Sequence, residues 1–192
     1  PCKWNCAMPP ANSSPAAAVA IEDHAPSVAP LLVLACGNPS RGDDALGPLF
    51  IEALEREYQP AIVAGELECR WGYQWQIEDA LALVGRKRVL FVDAVVGSGV
   101  FCDIAAVPHV EGRGVLSHAL SPGELLAVYR QLYGEPQFSV EVLGVGGVGF
   151  ELGEGVSDSG ERNLAVALKV FAGWVGAVLG SGEQGARVAS LF

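Results

Sequence analysis

Basic side chains are scarce in this sequence: 12 lysines and arginines stand against 22 aspartates and glutamates, for a formal net charge of −10. A surface that binds nucleic acid needs basic groups to neutralise phosphates, so we expect no nucleic-acid partner. No uninterrupted apolar run approaches the ~20 residues that a bilayer span requires, and no basic start with an apolar centre indicates a signal peptide. We therefore expect a cytoplasmic protein that does not contact the membrane.

The cysteine spacing of zinc ribbons and the common catalytic motifs are also missing. The five cysteines are an odd number without zinc-ribbon spacing, which favours reduced thiols: Cys2, Cys6, Cys36, Cys69 and Cys102. The sequence contains no P-loop, no serine-hydrolase elbow and no zincin motif. Residues 144–149 match the glycine pattern of a dinucleotide site, but they follow a late strand and no helix begins directly after them. We expect these glycines to allow close passage of loops instead.

Composition divides the chain into a globular body and two tails. Hydrophobic residues make up 51% of the sequence and charged residues 18%, which is typical of one well-buried domain. Residues 1–30 are rich in proline and alanine without a clear period, and residues 180–192 begin with a glycine-rich stretch. We expect a flexible N-terminal extension at 1–30, a domain at 31–179, a flexible tail at 180–192, and a monomer.

Strand and helix patterns alternate along the domain. We predict strands at residues 31–36, 62–70, 88–96, 102–107 and 138–145, and helices at 45–58, 74–84, 121–132 and 158–179. Ser121-Pro-Gly-Glu124 forms a capping box at the third helix, and Asp158 with Glu161 is predicted to cap the last. This order predicts a three-layer α/β/α sandwich around a mostly parallel, twisted sheet of about five strands, with 102–107 as a possible antiparallel edge.

Two adjacent carboxylates follow the first strand, where a glycine-rich turn leads into a helix. Asp43 and Asp44 would lie at the carboxyl edge of the sheet, where open α/β proteins bind ligands. The alternative is purely structural, because acidic residues in a first helical turn cap free N–H groups and favour the helix dipole. We expect Asp43 to act as the cap and Asp44 to project into the cleft.

Two further polar residues are predicted at the same sheet edge. Asp93 interrupts an apolar strand near its carboxyl end, where a carboxylate is costly unless it is paired, metal-bound or exposed. A hydrogen-bonded structural aspartate is the alternative. His118 precedes the capped helix, whereas His24 and His109 lack a comparable setting. Two carboxylates and an imidazole, Asp44, Asp93 and His118, form a plausible three-point site for a divalent transition metal.

These residues resemble those of the [NiFe]-hydrogenase maturation endopeptidases. The resemblance lies in Gly37-Asn-Pro-Ser-Arg-Gly-Asp-Asp-Ala-Leu-Gly-Pro48, Phe91-Val-Asp-Ala94, Ser117-His118 before a helix, and residues 149–157. It covers residues 31–178, essentially the whole predicted domain. Residues 71–80 are similar to the branch that serves bidirectional, NAD-linked hydrogenases.

The resemblance implies an endopeptidase that removes a C-terminal extension from the precursor of a [NiFe]-hydrogenase large subunit after nickel insertion. It implies that Asp44, Asp93 and His118 contact a metal and carry the catalysis, while Asn38 and Asp43 shape the turn. The metal is nickel carried by the precursor, with no tightly bound resident metal expected. Some relatives have glutamate where Asp44 stands, so we expect the metal distance or the substrate reach to differ slightly.

Two other functions remain open from the residues alone. A non-catalytic module that binds nickel or the precursor would use the same three ligands. A metal-dependent hydrolase of small molecules is the second alternative, because related α/β sheets host many activities.

Overall fold

The computed structural model describes residues 28–97, 102–106 and 120–179, and of 102–106 and 177–179 it describes the backbone alone. The predicted tail and nearly all of the predicted extension lie outside the described residues. The strands are β1 (Leu31–Cys36), β2 (Leu67–Gly72), β3 (Arg88–Val96), β4 (Cys102–Ala106) and β5 (Ser139–Gly147). The α-helices are α1 (Leu46–Glu57), α2 (Gln59–Val63), α3 (Pro122–Tyr133) and α4 (Asp158–Leu179), and 3-10 helices span Gly42–Ala45 and Ile77–Leu83.

The five strands form one sheet in the order β2-β1-β3-β5-β4. The first four in that order are parallel, and β4 pairs antiparallel with β5 at the edge. One core cluster packs α1 and α4 on one face of the sheet, and a second packs α3 and the 3-10 helix Ile77–Leu83 on the other. The predicted three-layer fold is therefore confirmed, including the antiparallel edge strand.

Two segments differ from their sequence-based predictions. The second strand was expected at 62–70 but is Leu67–Gly72, because Pro60 lies in the first turn of α2 and directs the chain into a short helix. The segment expected as a helix at 74–84 is a shorter 3-10 helix, Ile77–Leu83.

Helix beginnings explain the smaller differences. The Ser121–Glu124 capping box is confirmed, with both reciprocal hydrogen bonds present. The last helix is capped one residue earlier than expected, because the Oγ of Ser157 accepts from the N–H of Gly160 at 3.0 Å. The first helix was expected from residue 45, and α1 begins at Leu46 after the 3-10 turn that holds both aspartates. In the described ranges, no helix has the length and apolarity needed to cross a membrane.

Candidate functional site

The candidate site lies at the carboxyl ends of β1 and β3, the two central strands where the chain connections diverge. From β1 the chain passes to β2 on one side, and β3 then pairs on the other side of β1. Such a switch point leaves a crevice between loops that run in opposite directions. A pocket of about 240 Å³ occupies it, lined by Cys36, Gly37, Asp44, Tyr73, Gln74, Trp75, Asp93 and Leu120.

Asp44 is held at the pocket by the turn after β1. Its carboxylate accepts a hydrogen bond from the N–H of Asn38 at 3.1 Å, and the side chain of Asn38 in turn accepts from the N–H of Ser40 at 2.9 Å. Gly37 has a φ of +144°, and a Cβ there would collide with the carbonyl oxygen of Asp44. The turn therefore needs glycine. Asp44 is half-buried, and among the described residues its carboxylate accepts a side-chain hydrogen bond from the Asn38 N–H alone.

Asp93 enters the same pocket from β3. It follows Phe91 on the sheet face that carries Trp75, and it is half-buried beside Cys36 at the end of β1. Burial raises the pKa of Asp93, and the negative charge of Asp44 raises it further. Hydrogen bonds from the Cys36 thiol and the Ala94 N–H lower this pKa, but they do not outweigh burial. Burial and the two nearby carboxylates raise the pKa of Cys36, so this thiol stays protonated and donates to Asp93.

Asp43 has a different role from the one expected. It does not cap the helix that follows it, and its side chain is fully buried. Its carboxylate accepts from the N–H groups of Val148 at 2.7 Å, Gly149 at 3.0 Å and Ser157 at 2.7 Å, and from the Ser157 hydroxyl at 2.8 Å. Burial raises its pKa, but these hydrogen bonds outweigh burial and hold the pKa below its ordinary value.

Backbone contacts fasten the loop 148–157 to the turn that carries both aspartates. The N–H of Asp43 donates to the carbonyl of Gly149 at 2.7 Å, and that of Gly42 donates to the carbonyl of Glu154 at 3.1 Å. Gly147 passes so close that a Cβ there would lie 2.6 Å from the Cβ of Asp43. The expectation that the glycines of 144–149 allow close loop passage is confirmed at Gly147.

The pocket brings together two of the three residues singled out from the sequence. Asp44 and Asp93 both line it. His118 lies outside the described residues, as do His24 and His109. Within the described part of the chain, no group of three or more histidine, cysteine, aspartate or glutamate side chains is arranged to hold a metal ion. Asp44 and Asp93 by themselves supply carboxylate oxygens for part of a divalent metal's coordination.

Sequence reasoning gave no site role to five residues of the pocket wall: Cys36, Tyr73, Gln74, Trp75 and Leu120. Cys36 was interpreted as a small buried hydrophobe, although it ends β1 directly beside the strand end that holds Asp93. Tyr73 and Trp75 follow β2 at the same sheet edge. The rule that singled out Asp44 and Asp93, side chains at the carboxyl ends of parallel strands, would have found them as well.

This architecture is the fold of hydrogenase maturation endopeptidases. The structure is similar to the hydrogenase maturating endopeptidase HybD from E. coli, with 23% sequence identity and a TM-score of 0.60 over 79% of this chain and 93% of that chain. It is also similar to the hydrogenase 2 maturation peptidase from Thaumarchaeota archaeon SCGC_AB-539-E09, with 20% identity and a TM-score of 0.54 over 76% of this chain and 97% of that one.

A third similar structure is the solution structure of an endopeptidase from Escherichia coli, with 22% identity and a TM-score of 0.56 over 74% of this chain and 90% of that chain. No family model and no curated protein matches the sequence. At these identities the likeness establishes the fold. The family named by the two hydrogenase maturation peptidases is the one that the sequence motifs resemble.

Proposed function

We propose that this protein is an endopeptidase that removes the C-terminal extension of a [NiFe]-hydrogenase large-subunit precursor after nickel insertion. The observation that carries the proposal is the convergence of Asp44 and Asp93 in one pocket at the sheet's switch point. The same two positions carry the motif resemblance, and the fold is that of hydrogenase maturation endopeptidases. We further propose that the protein acts as a monomer in the cytoplasm, where its free Cys36 and Cys69 thiols remain reduced.

Asp44, Asp93 and His118 are the proposed catalytic residues and metal contacts. His118 is included because it stands two positions before Leu120, which lines the pocket. In this proposal the metal is the nickel of the precursor, which the three side chains meet when the substrate docks. The aspartate at 44 is one methylene shorter than the glutamate of some relatives, and the hydrogen bond from Asn38 fixes its position.

The proposed reaction is hydrolysis of one peptide bond. Asp44 or Asp93 takes a proton from water as the water oxygen attacks the scissile carbonyl carbon. The same carboxyl group then gives this proton to the departing amine as the C–N bond breaks, which regenerates the carboxylate. Imidazole or the nickel of the substrate polarises the carbonyl. Both carboxylates face the same small pocket, so either can reach a water molecule held there.

The test is incubation with a nickel-loaded large-subunit precursor, followed by intact mass spectrometry. Wild type should release a defined C-terminal peptide, and Asp44→Asn, Asp93→Asn and His118→Ala should lower the rate by at least about 100-fold. Glu135→Gln is the matched control. Glu135 is exposed and lies just beyond the end of α3, and among the described residues its carboxylate bonds only Arg130. Full cleavage by Asp93→Asn would exclude Asp93 as the general base.

Other outcomes point to the two alternative functions. Nickel or precursor binding without cleavage would indicate a binding module. Turnover of generic small esters or amides with the precursor left intact would indicate a small-molecule hydrolase. Cleavage by all variants would keep the peptidase activity and discard these three residues.

A further inference from the structure

An exposed aromatic pair adjoins the pocket at the end of β2. Trp71 is 42% exposed and Tyr73 70% exposed, and their rings meet edge-to-face with centroids 6.1 Å apart. Tyr73 also lines the pocket that holds Asp44 and Asp93. The two rings therefore form an apolar surface continuous with the candidate site, rather than isolated exposed side chains.

An unsatisfied donor lies in the wall of the same pocket. Trp75 is only 6% exposed and packs edge-to-face on Phe91, with ring centroids 5.3 Å apart. Its indole N–H is buried and has no hydrogen-bond partner among the described residues. A buried tryptophan N–H normally finds an acceptor, and leaving one unpaired is costly. The other described buried indole follows the rule, because Trp174 donates to Glu141 at 3.3 Å.

The unpaired indole N–H of Trp75 and the exposed rings of Trp71 and Tyr73 suit one kind of ligand. An extended peptide presents a backbone carbonyl oxygen, which a neutral indole N–H can satisfy, and an adjacent side chain that can pack on aromatic rings. Tyrosine and tryptophan give large contact areas at small entropic cost, which is why they often dominate recognition surfaces. Because Tyr73 and Trp75 line the same pocket as Asp44 and Asp93, a ligand bound in this way would lie next to the two carboxylates.

We propose that Trp71, Tyr73 and Trp75 form a subsite that binds the substrate peptide next to its scissile bond. The indole N–H of Trp75 donates to a backbone carbonyl of the substrate, and the Trp71–Tyr73 rings pack on an apolar side chain beside it. This inference rests on the proposed function, because it assigns the occupant as the precursor segment that is cleaved.

The first test follows the indole N–H signals of the 15N-labelled protein by NMR during titration with a synthetic peptide spanning the precursor's cleavage site. The Trp75 signal should move as its N–H acquires an acceptor. The Trp174 signal should stay in place because its N–H is already bonded to Glu141. Single tryptophan-to-phenylalanine variants assign the signals.

The second test compares precursor cleavage by Tyr73→Ser with that by Tyr133→Ser. Tyr133 is a matched control, because it is also an exposed tyrosine paired with another ring, that of Tyr129 at 5.2 Å. It ends α3 about 16 Å along the helix from Pro122, which begins α3 two residues after Leu120 of the pocket wall. Tyr73→Ser and Trp71→Thr should each raise KM about tenfold with kcat nearly unchanged, and Tyr133→Ser should change neither. Circular dichroism and thermal unfolding confirm that each variant is folded.

The outcomes separate this inference from the proposed function. Cleavage of the precursor without movement of the Trp75 signal, or with equal KM for Tyr73→Ser and Tyr133→Ser, overturns the subsite and leaves the peptidase standing. Movement of the Trp75 signal with an intact precursor overturns the peptidase and keeps a peptide-binding site. If the precursor stays intact and no signal moves, both are wrong.

Discussion

Replacing Asp43 by asparagine should destabilise the fold far more than expected for two side chains of nearly the same size. The Oδ2 atom of Asp43 accepts from Val148, Gly149 and the Ser157 hydroxyl, and Oδ1 accepts from the Ser157 N–H. An asparagine can keep an oxygen at only one of these positions. Its better orientation places the oxygen at Oδ2, retaining three partners, and points the amide at the Ser157 N–H, which then has no acceptor.

The size of the effect follows from the charge and from the orphaned donor. A hydrogen bond to a charged group contributes about 1.5–3 kcal/mol and a neutral one roughly 0.5–1.5 kcal/mol, so each retained bond weakens. An unsatisfied buried donor costs about 1–3 kcal/mol more. Together these losses are at least about 4 kcal/mol, a large share of the ~5–15 kcal/mol that stabilises a typical domain.

Urea unfolding followed by circular dichroism measures this loss, with Asp44→Asn as the matched control. In the part of the chain that the structure describes, Asp44 accepts one bond, from Asn38, so its variant should lose less than about 1.5 kcal/mol. Because hydrogen bonds lower the pKa of Asp43 in the folded state, its contribution is complete above the ordinary value of 3.8 and is lost as pH falls through the lower folded value. A loss below about 1 kcal/mol for Asp43→Asn at pH 7 would refute this account of the carboxylate.

Three other changes test separate parts of the fold. Gly42→Ala should lower the free energy of unfolding, measured by urea titration, by about 1–3 kcal/mol, because Gly42 has φ +53° and a Cβ would lie 2.5 Å from the Gly149 carbonyl oxygen. The control variant Gly155→Ala should lower it much less, because the space around Gly155 is open. Burial raises the pKa of Asp93, so its ionised form opposes folding: Asp93→Asn should be as stable as wild type or more so at pH 7, and this advantage should vanish below about pH 4. Ser121→Ala removes the side-chain cap of α3 and should lower the free energy of unfolding by about 1 kcal/mol, measured by thermal unfolding. The loss should be no larger, because the Glu124 carboxylate still accepts from the backbone N–H of residue 121.

The central strands were predictable because their signals are local. Residues 31–36 and 88–96 are continuous apolar runs bounded by turn residues, and both strands have the predicted bounds. The start of β2 was not predictable in the same way. Ile62 and Val63 are β-branched and favour a strand, but α2, with Pro60 in its first turn, already includes them. Ile62 is only partly buried and Val63 is exposed.

The site was predictable only as far as topology reaches. Asp44 follows β1 in the chain, and Asp93 lies in the carboxyl-terminal half of β3, the parallel neighbour of β1, so the rule for α/β sheets places them together without any knowledge of side-chain contacts. The partners of Asp43 are more than 100 residues away in the sequence, at Val148, Gly149 and Ser157, and no local pattern reports them. The orphaned indole of Trp75 is equally invisible, because hydrogen-bond satisfaction depends on what surrounds a side chain in space.

The opposite roles of Asp43 and Asp44 follow from the short 3-10 helix that holds them. With about three residues per turn, successive side chains point roughly 120° apart, so the two carboxylates cannot share one environment. The buried Asp43 carboxylate is directed at the N–H groups of the loop 148–157, and the Asp44 carboxylate is directed into the pocket. Because the loop bonds to Asp43 also fix the turn that positions Asp44, Asp43→Asn should lower kcat even at temperatures where it remains folded. Asp44→Asn should abolish cleavage with little loss of stability. Equal kcat for folded Asp43→Asn and wild type would show that Asp43 stabilises the fold without positioning the site.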